Sequence, residues 1–189
     1  MIQPHPNPKV ALEQYSVPAD LAAEILFRAC YEFSDIEDRS VLDLGAGTGR
    51  LAIGASMLGA KYVVGAEVDR LALQVGARTC KRLGLQVDWV LTEIENLRGS
   101  VDTVVMNPPF GTKRPHADTR FLQTALSIGK VVYSIHKTST REYLQSWFNE
   151  HDTRAAVILN TDMEIRHQFS FHVKRKRSVE IDVFRITRS

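Results

Sequence analysis

Four consecutive residues near the middle of the chain, Asn107 to Phe110, combine a side-chain amide, two prolines and an aromatic ring. The two prolines fix the backbone and push Asn107 towards an extended conformation. The side-chain carbonyl of Asn107 and the backbone carbonyl of Pro108 can each accept one N–H of a conjugated amine and favour its pyramidal, nucleophilic form. Pro109 stiffens this arrangement, and Phe110 offers a face on which a flat base can stack. The motif predicts a site that activates an amino group, and a proline-rich loop that merely ends a strand is the alternative.

A second motif, Asp43-Leu44-Gly45-Ala46-Gly47-Thr48-Gly49, lies between a predicted strand and a predicted helix. Its glycines permit positive φ and let a ligand approach the backbone closely. Glu67 ends the next predicted strand, where an acid can accept hydrogen bonds from both hydroxyls of a ribose. A tight turn without a ligand is the alternative for the glycine loop. The strand, turn, helix and acid together favour a nucleotide-like cofactor at the carboxyl end of the first strand.

The glycine spacing indicates which cofactor this is. A nicotinamide-binding loop reads G-x-G-x-x-G, whereas this loop reads G-x-G-x-G with Asp43 two residues before the first glycine. It resembles the first motif of class I S-adenosylmethionine (AdoMet)-dependent methyltransferases. That resemblance implies that the loop passes the methionine part of AdoMet and that Glu67 holds the ribose. It also implies that Glu93, or the following backbone amide of Ile94, reads the adenine.

The elements that position these motifs alternate between strands and helices. Apolar runs predict strands over residues 41–44, 62–68, 87–91, 101–106 and 131–135. Helical spacing predicts helices over residues 20–33, 51–58, 70–83, 119–129 and 139–150. Three further strands follow without intervening helices, over residues 155–160, 169–173 and 178–184. We expect an α/β fold of the Rossmann-like, doubly wound type, with a mostly parallel sheet of about seven strands, that is, a seven-stranded sheet in its usual form, and a C-terminal antiparallel hairpin.

Composition excludes several other classes of protein. The 189 residues are 44% hydrophobic and 24% charged, which suits one globular domain spanning residues 1–189, with residues 1–17 as a lead-in. No apolar run is long enough to span a membrane, and the first residues lack a signal-peptide core, so we expect a cytoplasmic protein. The two cysteines, Cys30 and Cys80, lack CxxC spacing, so we expect neither a disulfide nor a bound metal.

The match to a known family becomes closer when five segments are taken together. These are LEQY at 12–15, MNPPFGTK at 106–113, FLQTAL at 121–126, VYSIHK at 132–137 and KRKRSVEIDVFRI at 174–186. They resemble the methyltransferase-like protein five family, which methylates N6 of adenine in small-subunit ribosomal RNA, in the compact form of its archaeal members. The resemblance runs from about residue 8 to 187. It implies that Asn107, Pro108, Pro109 and Phe110 are catalytic and that AdoMet is converted to S-adenosylhomocysteine.

The same resemblance implies a set of cofactor contacts. They are Gln14, Asp43, Gly45, Gly47, Thr48, Gly49, Arg50, Glu67, Glu93 and Ile94. The lead-in that contains Gln14 is expected to lie over the cofactor. The chain departs from the family pattern in three ways: Ser16 and Val17 stand where a threonine is usual, Glu67 replaces an aspartate, and Arg50 replaces a small apolar residue. Arg50 is therefore expected to contact AdoMet through its backbone only.

Two partners are expected. RNA phosphates would be held by basic residues beside the catalytic motif and in the C-terminal basic run, namely Lys113, Arg114, Lys174, Arg175, Lys176 and Arg177. A solvated hairpin tip is the alternative for that run. The family also acts with a small zinc-binding activator protein of the Trm112 type, which adds strands beside the third strand. Trp89 is expected at that exposed edge, unless the C-terminal hairpin or the lead-in covers it.

Two other functions share parts of this pattern. A protein glutamine N5-methyltransferase that acts on a release factor has the same catalytic motif and the same type of activator. A non-catalytic AdoMet-binding scaffold would need only the glycine loop. Phe110 and the basic run favour RNA, and the intact Asn-Pro-Pro-Phe motif disfavours a scaffold. No catalytic histidine is required, because the sulfonium is an excellent methyl donor, and His136 is expected to be structural or exposed.

Overall fold

The computed structural model describes residue 5 and residues 15–110, 117–165 and 177–188. Its strands form one seven-stranded sheet in the order β3-β2-β1-β4-β5-β7-β6. The strands are β1 Ser40–Leu44, β2 Tyr62–Glu67, β3 Asp88–Leu91, β4 Val101–Met106, β5 Gly129–Lys137, β6 Thr153–Ile165 and β7 Arg177–Arg188. β1 to β5 are parallel, and β7 runs antiparallel between β5 and β6. The predicted fold class is confirmed.

The sheet places the two sequence motifs side by side. β1 and β4 are neighbours, and Leu44 pairs with Met106 at their carboxyl ends. The strand order reverses at this point, since β2 and β3 follow β1 in one direction whereas β5 follows β4 in the other. Such a switch point opens a crevice in which ligands bind. The glycine loop leaves Leu44 and the Asn107 motif leaves Met106, so both motifs border that crevice.

The helices cover both faces of the sheet. They are α1 Ala19–Phe27, α2 Arg50–Met57, α3 Arg70–Leu83, α4 Ala117–Ile128 and α5 Arg141–Glu150. α1 continues as a π-helical turn over Arg28–Glu32, so the helix predicted over residues 20–33 changes its geometry at its end. No helix among the described residues is both long enough and apolar enough to cross a lipid bilayer.

β1 shows how the buried strands supply both layers of the core. Val41 packs with α1 and α2, whereas Leu42 and Leu44 pack with α4 and α5. Successive strand residues point to opposite faces, so Asp43 faces the same side as Val41. The side chain of Asp43 therefore points from β1 towards α2.

The C-terminal hairpin differs from the predicted one in its pairing. The sequence pairs residues 169–173 with 178–184, but in the structure β7 pairs with β6, from Thr153 opposite Arg188 to Ile165 opposite Arg177. Residues 169–173 lie outside the described part of the chain. β6 is longer than the predicted 155–160 because its second half alternates polar and apolar residues, with Met163 buried and Asp162 and Glu164 as its polar neighbours. β6 is also an edge strand, opposite the edge formed by β3.

The expectation that Trp89 lies exposed on the β3 edge is wrong. Its indole packs into a slot formed by three glycines, and a Cβ at Gly49, Gly65 or Gly76 would lie 2.1, 2.6 or 2.6 Å from a ring carbon. Alternate residues of a strand face opposite sides, and the side that Trp89 takes is filled by the glycine loop, β2 and α3. The exposed residues of β3 are Asp88 and the apolar Val90 and Leu91.

Candidate functional site

A cavity opens at the carboxyl ends of β1, β2, β3 and β4. Its lining brings together ten of the predicted site residues, namely Asp43, Gly45, Gly47, Thr48, Arg50, Glu67, Glu93, Ile94, Asn107 and Pro109. Gln14, Lys113, Arg114, Lys174, Arg175 and Lys176 lie outside the described residues. Arg177 is the first residue of β7, and its side chain lies outside the described part of the structure. The sequence motifs therefore meet at one site, as expected from their positions after neighbouring strands.

The glycine loop is shaped by close contacts as well as by its dihedral angles. Gly45 and Gly49 have φ of +73° and +79°, a region that side chains rarely adopt. A Cβ at Gly45 would lie 2.8 Å from the ring of Phe121 on α4. The N–H groups of Gly45 and Ala46 both donate to the Ala66 carbonyl at 2.9 Å, which ties the loop to the end of β2. The loop is thus fixed with its backbone facing the cavity.

Asp43 lies beneath this loop and is almost completely buried. Its Oδ2 accepts a hydrogen bond from the Ala52 N–H at 2.8 Å and so fastens the first turns of α2 to β1. Burial raises the pKa of Asp43 to about 7, the bond from Ala52 opposes this rise, and the nearby charge of Glu67 adds to it. Asp43 therefore supports the glycine loop, and its carboxyl group changes its charge near neutral pH.

Glu67 is held by three backbone N–H groups. Its Oε2 accepts from Gly47 at 2.8 Å, and its Oε1 accepts from Val68 at 3.0 Å and Asp69 at 2.9 Å. The carboxylate is buried but lines the cavity. A carboxylate has about four acceptor positions, so one remains for a ligand hydroxyl while the bond to Gly47 is kept. The extra methylene of glutamate, compared with aspartate, carries the carboxylate across to the glycine loop.

The far wall of the cavity follows β3. Exposed Glu93 and half-buried Ile94 lie at the start of a short 3-10 turn, Ile94–Asn96, in the position that the family resemblance assigns to adenine recognition. Arg120 on α4 forms an ion pair with Glu95, and both residues line the cavity. Sequence analysis missed this pair, because the two residues lie 25 positions apart in segments without a recognisable motif.

Among the described residues, only one end of the Asn107 side chain has a hydrogen-bond partner. Its Nδ2 donates to the backbone carbonyl of Tyr15 at 2.8 Å. Its Oδ1 is buried and has no hydrogen-bond partner among the described residues. Since Asn107 lines the cavity, this oxygen is an acceptor in need of an N–H or O–H donor.

The remaining residues of the motif differ in their surroundings. Pro109 lines the cavity and Pro108 is buried. Phe110 is half-buried and packs against the core layer that contains Ile181 and Met163. The Lys137 ammonium lies 5.3 Å from the centre of the Phe110 ring, a cation–π contact that the sequence did not reveal. It results from the neighbouring ends of β4 and β5.

The histidines take two different places. His136 is buried outside the cavity lining, with its Nε2 2.6 Å from the Ser134 hydroxyl, and burial lowers its pKa to about 3. It is therefore neutral and structural. His5 does line the cavity, and its Nε2 lies 3.5 Å from Oδ2 of Asp69, the N-cap of α3. Together with Tyr15, Ser16 and Val17, it shows that parts of the lead-in border the site.

The sheet order with its antiparallel β7, the glycine loop after β1 and the acid after β2 define a class I methyltransferase, a class that uses AdoMet as its methyl donor. The model of the methyltransferase small domain family matches residues 17–132. The zebrafish (Danio rerio) rRNA N6-adenosine-methyltransferase METTL5 is 37% identical over 188 residues, which cover 96% of this chain and 91% of the zebrafish protein. The corresponding Drosophila melanogaster protein is 39% identical and covers 95% and 88%.

A solved structure agrees with these sequence relatives. A candidate RNA methyltransferase from Pyrococcus horikoshii superposes with a TM-score of 0.91 at 40% identity, over 99% of this chain and 92% of the other. The chain therefore belongs to the methyltransferase small domain family and, among its members, to the METTL5 group.

Proposed function

We propose that this protein transfers a methyl group from AdoMet to N6 of an adenine in RNA, specifically in small-subunit ribosomal RNA. The observation that carries the proposal is that Asn107 lines the cavity and that its buried Oδ1 has no hydrogen-bond donor among the described residues. An exocyclic amine supplies the N–H group that this acceptor needs. The METTL5 relatives, which match nearly the whole chain, are named for rRNA adenosine N6 methylation.

The residues around the cavity fit AdoMet. The backbone of Gly47 suits its methionine part, since no atom lies within 4 Å of the place where a Cβ of this residue would stand. Glu67 retains an acceptor position for a ribose hydroxyl, and a second bond to the ribose would replace its bond to Gly47. Glu93 and Ile94 would flank the adenine. When bound, AdoMet supplies an electrophilic methyl group on a sulfonium.

The catalytic motif acts by holding the amine. The Asn107 Oδ1 and the Pro108 carbonyl each accept one N–H, which directs the nitrogen lone pair away from both acceptors and towards the methyl donor. The two prolines keep these acceptors from moving, so that the geometry is set before the base arrives. Such a site needs no strong base to activate the amine.

RNA would be held on the same side of the sheet. Phe110 supplies a ring face for a base that has left its stack, and Lys137 brings a positive charge next to it. The charges of Lys113, Arg114, Lys174, Arg175, Lys176 and Arg177 would bind phosphates around this point. The basic residues position the strand, and the Asn107 motif reads the base.

A Trm112-type activator would pair with β3. The described structure leaves β3 at the edge of the sheet, with Val90 and Leu91 exposed. Val68 and Leu71 add exposed apolar surface at the neighbouring end of β2 and start of α3. The C-terminal hairpin lies at the opposite edge and does not cover β3. An added strand would satisfy the free backbone groups and cover these side chains.

A labelling experiment separates the candidate functions. The protein, with and without a Trm112-type activator, is incubated with methyl-labelled AdoMet and either unmodified small-subunit rRNA or a release factor. We expect label in the RNA, with stronger incorporation when the activator is present. Label in the release factor alone would identify a glutamine methyltransferase. AdoMet binding without transfer to either substrate would identify a non-catalytic protein.

A further inference from the structure

Residues Tyr15 to Val17 cross the cavity border as a short strap that is held at both ends. At one end, the Tyr15 carbonyl accepts the hydrogen bond from Nδ2 of Asn107 at 2.8 Å. At the other, the Val17 carbonyl accepts a hydrogen bond from the guanidinium of Arg50. Arg50 is the first residue of α2 and follows directly on the glycine loop. The strap therefore joins the loop of the cofactor site to the catalytic amide.

The bond to Tyr15 determines which end of the Asn107 amide is left without a hydrogen-bond partner among the described residues. An amide group has nearly the same shape at both ends, but one end accepts hydrogen bonds and the other donates two. The Tyr15 carbonyl can only accept, so it selects the NH2 end and leaves Oδ1 for the substrate. If this carbonyl moves away, the amide can rotate and present its NH2 group to the target amine, whose N–H groups it cannot accept.

Arg50 holds the strap where this selection works. Val17 is buried against the core and leads through Pro18 into α1, which fixes the strap's direction. Residues 11–14, which precede the strap, lie outside the described part of the chain. Among the described residues, Arg50 is the side chain next to the glycine loop that donates to the strap's backbone. The guanidinium has several donors in a rigid fork, which suits it to hold a backbone carbonyl in one place.

We propose that Arg50 is a positioning residue, which acts through the strap to keep the Asn107 carbonyl directed at the target amine. This role differs from the backbone contact to AdoMet that the family resemblance implies for position 50, and its effect on turnover rests on the proposed methyl transfer. It predicts that the side chain of Arg50 contributes to kcat more than to AdoMet affinity. It also predicts that this contribution disappears when Asn107 is absent.

Steady-state kinetics with rRNA test whether Arg50 acts through the strap. We expect Arg50→Ala to lower kcat by about 10-fold or more, since small displacements of positioned groups cost roughly this much. Arg50→Lys, which keeps a donor within reach of Val17, should recover part of the loss. Arg39→Ala is the matched control, because Arg39 also donates to a backbone carbonyl, that of Ser34 at 3.2 Å, but outside the cavity lining. It should leave kcat unchanged.

A double variant shows whether Arg50 works through Asn107. In the Asn107→Ala background, Arg50→Ala should change kcat by less than about two-fold, because coupled residues are non-additive. If the losses in kcat of the two single variants multiplied in the double variant, the inference would be overturned. A normal kcat for Arg50→Ala would also overturn it.

Proton exchange provides a readout without substrate. The side-chain amide signal of Asn107, assigned by its loss in Asn107→Ala, should exchange about 10-fold faster in Arg50→Ala than in wild type or Arg39→Ala. Equal exchange rates in all three would overturn the inference. The exchange experiment tests the role of Arg50 even if the wild-type protein fails to methylate RNA. That failure would count against the proposed function and not against the role of Arg50.

Discussion

At the scale of single residues, the site consists of buried acceptors whose other bonds are already made. Asn107 gives its NH2 group to Tyr15, and Glu67 accepts three backbone N–H groups. Each of these side chains keeps at least one acceptor position for a ligand. Acceptors that are held in this way lose little entropy when a ligand binds, which is the advantage of preorganisation.

Replacement of Glu67 tests its role at the ribose. Glu67→Ala removes a charged acceptor, and hydrogen bonds to charged groups contribute about 1.5–3 kcal/mol each when buried. We therefore expect AdoMet to bind at least about 10-fold more weakly by calorimetry. Glu67→Asp, which keeps the charge but shortens its reach to Gly47, is the matched control and should lose less. Unchanged affinity in Glu67→Ala would place the ribose elsewhere.

The charge of Asp43 links stability to pH. Its folded-state pKa is about 7, above the ordinary value of 3.8, so the folded protein holds a proton that the unfolded chain has lost between these pH values. The contribution of Asp43 to the free energy of unfolding therefore falls as the pH rises from about 4 through 7. In Asp43→Asn this fall should be absent. Melting temperatures from pH 5 to pH 8 test this, and parallel curves for the two proteins would refute it.

At the scale of elements, the regular segments with strong local signals were predictable. The helix predicted over residues 70–83 has the bounds Arg70–Leu83, since Asp69 caps its start and Gly84, with φ of +67°, ends it. The strand predicted over residues 101–106 is also confirmed. Its end was predictable because two prolines follow closely after it. Local sequence determines both ends of these elements.

Features that depend on distant contacts were not predictable. The strap of Tyr15 to Val17 meets Asn107 across 92 positions of the chain and has no regular periodicity. The inward packing of Trp89 depends on three glycines from three different elements. In each case the conformation depends on a tertiary contact, and the local sequence pattern does not indicate that contact. The motifs that form the walls of the cavity were visible, whereas the contacts that orient them were not.

The β3 edge gives a prediction at this scale. When a Trm112-type protein binds, the backbone amides of β3 should become protected from hydrogen exchange, because strand addition pairs the free edge. The outer edge of β6 lies on the other side of the sheet and serves as an internal control that should not change. Protection of β6 with none at residues 88–91 would rule out this mode of binding.

At the scale of the whole molecule, charge is distributed unevenly. The net charge is only +2, yet residues 174–189 carry six basic and two acidic side chains. The rest of the chain is therefore slightly acidic. Four of the six basic residues are consecutive, from Lys174 to Arg177, and a local basic run of this kind suits the binding of RNA at one place rather than general adhesion to polyanions.

Salt dependence of RNA binding tests this distribution. Each phosphate contact to single-stranded RNA contributes a slope of about 0.7 in the logarithm of affinity against the logarithm of salt concentration. Arg175→Ala with Lys176→Ala should weaken binding, flatten the slope by roughly one unit and leave AdoMet affinity unchanged. A matched pair, Lys81→Ala with Arg82→Ala in the last turn of α3, removes the same charge elsewhere. Equal slopes for the two double variants would show that the basic run is only a solvated turn.

The central claim is that the Asn107 carbonyl activates the amino group of an adenine in RNA. The most direct measurement is the nucleoside composition of small-subunit rRNA after incubation with AdoMet and either wild-type protein or Asn107→Ala, in the presence of the activator. The wild type should produce N6-methyladenosine, and Asn107→Ala should produce it about 100-fold more slowly with AdoMet affinity unchanged. A methyl group on another atom of the RNA, or equal rates for the two proteins, would contradict the claim.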